Sequence, residues 1–130
     1  MKKRNEEFLR VIVYLSARGR DKSVEIKERN QLKVLKEYAK AHNMEIVKIM
    51  HRNIQGISVM NYHLSVMANE IKEKNADGVL VKSMASISTD TEDAYRRAGR
   101  ISAAGGVLIS VDEGKMRLPM KVNKEGKLYE

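Results

Sequence analysis

The chain has 130 residues, 42% hydrophobic and 32% charged, with one proline and eight glycines, which suits one compact domain with a buried core and argues against a disordered chain. Twenty-five basic residues against 17 acidic ones leave a net charge of +8, favouring a polyanionic partner through long-range attraction and counterion release. The absence of cysteine excludes disulfides and thiolate chemistry, and His42, His51 and His63 show no HExxH or other short paired zinc spacing, so neither a metal nor a cofactor is expected.

The first buried strand runs from Leu9 to Leu15. A helix follows over Val24 to His42, capped by Ser23, with Leu32, Leu35 and Tyr38 or Ala39 on one face and Asn43 at its end. Strand two spans Glu45 to Met50. The second helix covers Asn61 to Asn75 with Leu64, Met67, Ala68 and Ile71 inward. Strand three is Gly78 to Lys82, the third helix Thr91 to Ala104 before the Gly105-Gly106 turn, and strand four Val107 to Val111.

Short apolar strands alternating with helices give the order β-α-β-α-β-α-β, an α/β fold with a four-stranded or larger, mainly parallel sheet between helices, in three layers. After Asp112-Glu113-Gly114 the pattern changes. Residues 115–130 hold Pro119 and a turn-like Asn123-Lys124-Glu125-Gly126, and read as a hairpin, an edge strand or a C-terminal tail beyond a domain of residues 1–114. No apolar run approaches the ~18 residues that cross a bilayer, so no membrane contact is expected and the protein is placed in the cytoplasm. Ligands of open parallel sheets bind beyond the carboxyl ends of the strands, which here are the loops 16–23, 51–60, 83–90 and 112–114.

Several segments, taken in order, resemble the catalytic domain of the serine recombinases, the resolvase/invertase family. They are Tyr14-Leu15-Ser16-Ala17-Arg18 against the family's Tyr-x-Arg-Val-Ser, and Gln31-Leu32 with Lys36-Glu37-Tyr38-Ala39-Lys40. Further on come Ile54-Gln55-Gly56 against Ile-Ser-Gly, Asp77-Gly78-Val79-Leu80-Val81, and Leu108-Ile109-Ser110-Val111-Asp112-Glu113-Gly114. The likeness covers about residues 10–114 without a large insertion, and implies a resolvase-like fold and DNA strand cleavage and rejoining by a serine nucleophile. It also implies the process, site-specific recombination, and an origin in a mobile element.

Carried across position by position, the family's pocket is altered. Its serine corresponds to Arg18 and the neighbouring arginine to Ser16. The aspartate of Asp-x-x-x-Ser-Gly corresponds to His51, the arginine of Arg-Pro-Gly-Leu to Asn61, and the arginines of Arg-Leu-x-Arg to Ser86 and Thr89. Gln31 is retained. Phosphodiester exchange needs an activated hydroxyl and cations aimed at oxygens that gain charge in the transition state. Arginine meets that need with a fixed, always charged fork. Ser16 does not simply replace the lost serine, because positions two apart on a strand lie ~6.6 Å apart.

The resemblance and the altered pocket imply a catalytically inactive, resolvase-like pseudoenzyme. It would be a DNA-associated or protein-binding regulatory module of a recombination system, partnered by DNA, an intact recombinase or itself as a homo-oligomer. An active recombinase with rearranged residues and a binder of small anions at the strand ends are the alternatives, the last without a GxGxxG or Walker motif. A separate DNA-reading domain like that of the family is not expected within these residues. Nucleic-acid contact is assigned to two clusters, Arg18, Arg20 and Lys22 in the first loop and Arg96, Arg97 and Arg100 on the third helix, although a basic helix face is by default a solvated one. His51 reads either as a base or phosphate ligand or as a plain loop residue.

Overall fold

A computed structural model describes residues 8–16, 21–51, 57–86, 91–116, 121–122 and 128–129. Strand β1 (Leu9–Leu15) is followed by helix α1 (Asp21–Ala41), β2 (Met44–His51), α2 (Ile57–Lys72) and β3 (Gly78–Val81). A 3-10 turn (Met84–Ser86), α3 (Thr91–Ala103), β4 (Val107–Ser110) and the short β5 (Gly114–Met116) come next, and β6 (Lys121–Val122) pairs antiparallel with β7 (Leu128–Tyr129) as a separate ribbon. The main sheet has the order β2-β1-β3-β4-β5; its first four strands are parallel and β5 closes one edge antiparallel to β4.

Strand β1 is central, and Val11, Ile12, Val13, Tyr14 and Leu15 are all at most 1% exposed, as a strand covered on both faces requires. Alternation sorts its side chains into two cores. Val11, Val13 and Leu15 pack with Leu35 and Ala39 of α1, Leu80 and Ile109. Ile12 and Tyr14 pack with Leu64, Met67 and Ile71 of α2 and with Ala98 and Ile101 of α3. The sheet is therefore the middle of three layers, with α1 on one side and α2 and α3 on the other.

Among the boundaries that differ from the sequence reading, three have a consequence for the site. Helix α1 starts at Asp21, so Ser23 lies inside its first turn and is not its cap; neither Asp21 nor Lys22 breaks a helix. Helix α2 starts at Ile57, because nothing after Gly56 interrupts it, and Asn61, expected to open the helix, stands one turn inside it. Strand β2 runs on to His51, which ends the strand and does not open a loop. Asn43, with φ of 60°, ends α1 in the left-handed conformation that asparagine tolerates.

A β-bulge alters β2. Val11 pairs with Ile46 but Ile12 with Lys48, leaving Val47 as the extra residue. Met44 and Ile46 face α1 before the bulge; the inserted residue reverses parity, so that His51, paired with Leu15, also faces α1. At the amino end of the sheet the Arg10 N–H donates to Asp77 Oδ2 at 2.8 Å and its guanidinium reaches both carboxylate oxygens at 3.2 Å. These bonds hold the Asp77 carboxyl below its ordinary value, against a smaller opposing effect of burial. Next to it, Gly78 sits where a Cβ would lie 2.4 Å from the Val107 carbonyl oxygen, so only glycine lets β3 approach β4 there. An open cavity of about 590 Å³ at this end is lined by Phe8, Arg10, Ile71, Lys72, Asp77 and Gly106.

Candidate functional site

At the carboxyl ends of the parallel strands the structure gathers Ser16 after β1, His51 at the end of β2, Lys82 after β3 and Asp112 with Glu113 after β4. Helix α1 lies over the first two. Gln31 donates from Nε2 to the Ser16 carbonyl at 2.6 Å and accepts the Ser16 N–H on Oε1 at 3.2 Å. Its amide thus acts as a further rung at the end of β1 and fixes the chain's exit from the sheet. Ser16 is 8% exposed. A nucleophile must meet a bulky DNA phosphate, and so buried a residue is poorly presented for that task.

One turn before Gln31 stands Glu28, 7% exposed, whose Oε1 accepts from His51 Nδ1 at 2.7 Å. Its Oε2 is buried and has no hydrogen-bond partner among the described residues. A carboxylate accepting at Nδ1 fixes the imidazole tautomer and turns Nε2 away from it, and the His51 side chain is half-exposed. The Val47 bulge makes this contact possible. Glu28 escaped the sequence reading although a signal was present: it follows Val24 by four and precedes Leu35 by seven, so it stands in the inward row of α1.

On the opposite face of the sheet the buried Tyr14 hydroxyl meets His63 Nδ1 of α2 at 3.0 Å, with the rings edge to face. Burial lowers the His63 pKa and favours its neutral form. The two histidine pairs are thus separated by the sheet and do not form one constellation. Asn61 is exposed on α2. Ser86 is buried in the 3-10 turn, where its N–H donates to the Ser83 carbonyl at 2.9 Å.

Beyond β3 and β4, Lys82 Nζ donates to Asp112 at 2.7 Å. The Glu113 carboxylate accepts the Met84 N–H at 3.0 Å and the Ser110 hydroxyl, while the Glu113 N–H donates back to Ser110 Oγ at 3.2 Å. Among the described residues, the strand ends therefore carry the carboxylates of Glu28, Asp112 and Glu113, one lysine already paired, and one imidazole. That set repels a phosphodiester more than it attracts one.

Of the residues assigned to nucleic-acid contact, Arg18, Arg20 and the side chain of Lys22 lie outside the described residues, as does Thr89 among the family-equivalent positions. The α3 cluster is described, and it is internally compensated. Arg96 lies 3.8 Å from Glu92 and 3.7 Å from Asp93, and Arg97 lies 3.1 Å from Asp93. Arg100 donates to Ser65 Oγ at 3.0 Å and ties α3 to α2. Among the described residues no three potential ligands cluster as a metal site, and no helix is long and apolar enough to cross a membrane.

No protein-family model and no curated protein matches the chain. Solved structures do. A resolvase family site-specific recombinase from Streptococcus pneumoniae superposes with a TM-score of 0.68 at 19% identity, over 83% of this chain and 76% of that one. The N-terminal catalytic domain of TP901-1 integrase gives 0.63 at 19% identity over 81% and 78%. The C-terminal catalytic domain of ISC1926 TnpA, an IS607-like serine recombinase, gives 0.61 at 16% over 78% and 67%. The chain has the resolvase-like α/β fold of serine recombinase catalytic domains.

Proposed function

We propose that this domain is a resolvase-like serine recombinase module that does not cut DNA. It acts as a DNA-associated or protein-binding regulatory element of a site-specific recombination system, held to DNA, to an intact recombinase or to a second copy of itself. The observation that carries this reading is the composition of the strand ends among the described residues: Glu28, Asp112 and Glu113 with Lys82 already paired, beside a buried Ser16. Phosphoryl transfer requires several fixed cations around the reacting phosphorus, and removing even one preorganised donor from such a site typically lowers the rate ~10²–10³-fold. A scaffold kept while its cation set is replaced fits a role in recognition. Purified protein incubated with supercoiled plasmid is expected to leave it intact and to form no covalent protein–DNA adduct. Adducts present with the natural sequence and lost with Ser16→Ala would overturn the reading.

One observation favours a second reading, an active enzyme with rearranged residues. The Glu28–His51 pair is a carboxylate-oriented imidazole at the strand ends, the arrangement of a general base. The same plasmid assay decides between the two, since this reading expects cleavage that disappears with His51→Ala.

A further inference from the structure

We propose that the outward flank of α1 beside the edge strand β2 is a contact surface for the phosphate backbone of double-stranded DNA, formed by Arg29, Lys33, Lys36 and Lys40. The inference rests on the reading of this domain as a DNA-associated module and adds where that contact is made. At about 100° per residue, these four positions fall within an arc of roughly 60° on α1. All four are exposed. The flank they occupy follows from contacts already described: Gln31 meets the end of β1, and Glu28, further round the helix, meets the end of β2. Continuing in the same sense past Leu32, the basic row comes next and overhangs the sheet edge formed by β2.

The row differs from the other basic helix in its lack of compensation. Arg96 and Arg97 of α3 have Glu92 and Asp93 at ion-pair distance. Arg29, Lys33, Lys36 and Lys40 take part in no described ion pair or hydrogen bond, and Glu25 and Glu37, which border the row, do not reach it. Four fixed like charges repel one another, and a polyanion relieves that repulsion while releasing its own counterions. The eleven residue steps from Arg29 to Lys40 span about 16 Å, long enough to lie along several phosphates of one strand.

Backbone contact is favoured over the other polyanions. Stacking on unpaired bases needs a free aromatic platform, and the aromatic residue of α1, Tyr38, is half-buried and stacked on His42 at 4.1 Å between ring centroids. An interfacial helix adds an inserted apolar face to its charge when it binds anionic lipid, and the part of α1 that carries Leu35 and Ala39 is packed on the sheet.

The test measures binding of the full chain to a mixed-sequence duplex by fluorescence anisotropy across a salt series. Four contacts give a slope of about −3.6 in log Kobs against log salt, or about 150-fold weaker binding between 50 and 200 mM. Lys33→Gln/Lys36→Gln keeps good helix formers and is expected to halve the slope, leaving about a 12-fold loss over that range. Lys72→Gln/Lys74→Gln removes the same charge at the end of α2 and in the turn after it and is expected to leave the slope unchanged; circular dichroism checks that both variants fold. Equal effects of the two pairs, or none from the α1 pair, overturn the inference while leaving association with DNA standing. No duplex binding by the natural sequence, or preferential binding to anionic vesicles, overturns both the inference and the DNA-bound form of the proposed function.

Discussion

Replacing His51 by alanine removes the hydrogen bond at 2.7 Å from a carboxylate that is 7% exposed and whose other oxygen has no partner among the described residues. Breaking a fully buried charged pair costs ~3–5 kcal/mol. Here the imidazole is half-exposed, so water enters the space it leaves and the expected loss falls to ~1–2 kcal/mol. For a chain of 130 residues, with about 2.1 cal/mol/K of unfolding entropy per residue, that is a drop in Tm of roughly 4–7 °C. Glu28→Met should behave oppositely: it removes the buried charge, nearly keeps the volume and leaves His51 free to hydrate, so stability is unchanged or higher. Combining the two forms a double-mutant cycle in which His51→Ala has little effect once Glu28 is methionine. Calorimetry or thermal melts by circular dichroism give all four values. A drop of less than about 1 °C for His51→Ala, or a larger loss for Glu28→Met than for His51→Ala, would refute the reasoning.

Gly78→Ala places a methyl 2.4 Å from the Val107 carbonyl oxygen, and the strand shift this forces is expected to cost ~3 kcal/mol, roughly 10 °C in Tm; a drop below about 3 °C would mean that β3 and β4 separate freely. Folding holds the Asp77 carboxyl low, so its contribution is fully present above the ordinary value of 3.8 and is lost as pH falls through the lower folded value. Acid titration should therefore show the stability gap between the natural sequence and Asp77→Asn closing in that range. Burial lowers the His63 pKa, so the unfolded chain binds its proton first as pH falls below 6.5, and stability declines until the folded value is reached. His63→Gln should remove that part of the loss, seen by comparing melts of the two proteins on either side of 6.5.

Most of the layer structure is legible from residues alone, because β1 and β3 are runs of Val, Ile and Leu buried on both faces and α1 carries its apolar residues at helical spacing. The helix starts were less so. Ile57 to Met60 contain no stop signal, and their helical state depends on packing further along α2. His51 reads from the sequence as the first residue of the loop after strand two; its place at the strand end and its direction depend on pairing with β1 and on the Val47 bulge, which has no local sequence signature. Glu28 was visible in principle as a carboxylate in a core-facing row. The compensation of Arg96 and Arg97 was equally visible, since Glu92 and Asp93 stand three and four positions before them.

The central claim is that the strand-end cleft does not hold a phosphoryl group in its five-coordinate state. Orthovanadate mimics that geometry, and amide NMR of the labelled protein titrated with it tests the claim most directly. No saturable shifts are expected at Ser16, Gln31, His51 or Met84. Saturable shifts at those amides would show a working phosphate site and contradict the claim.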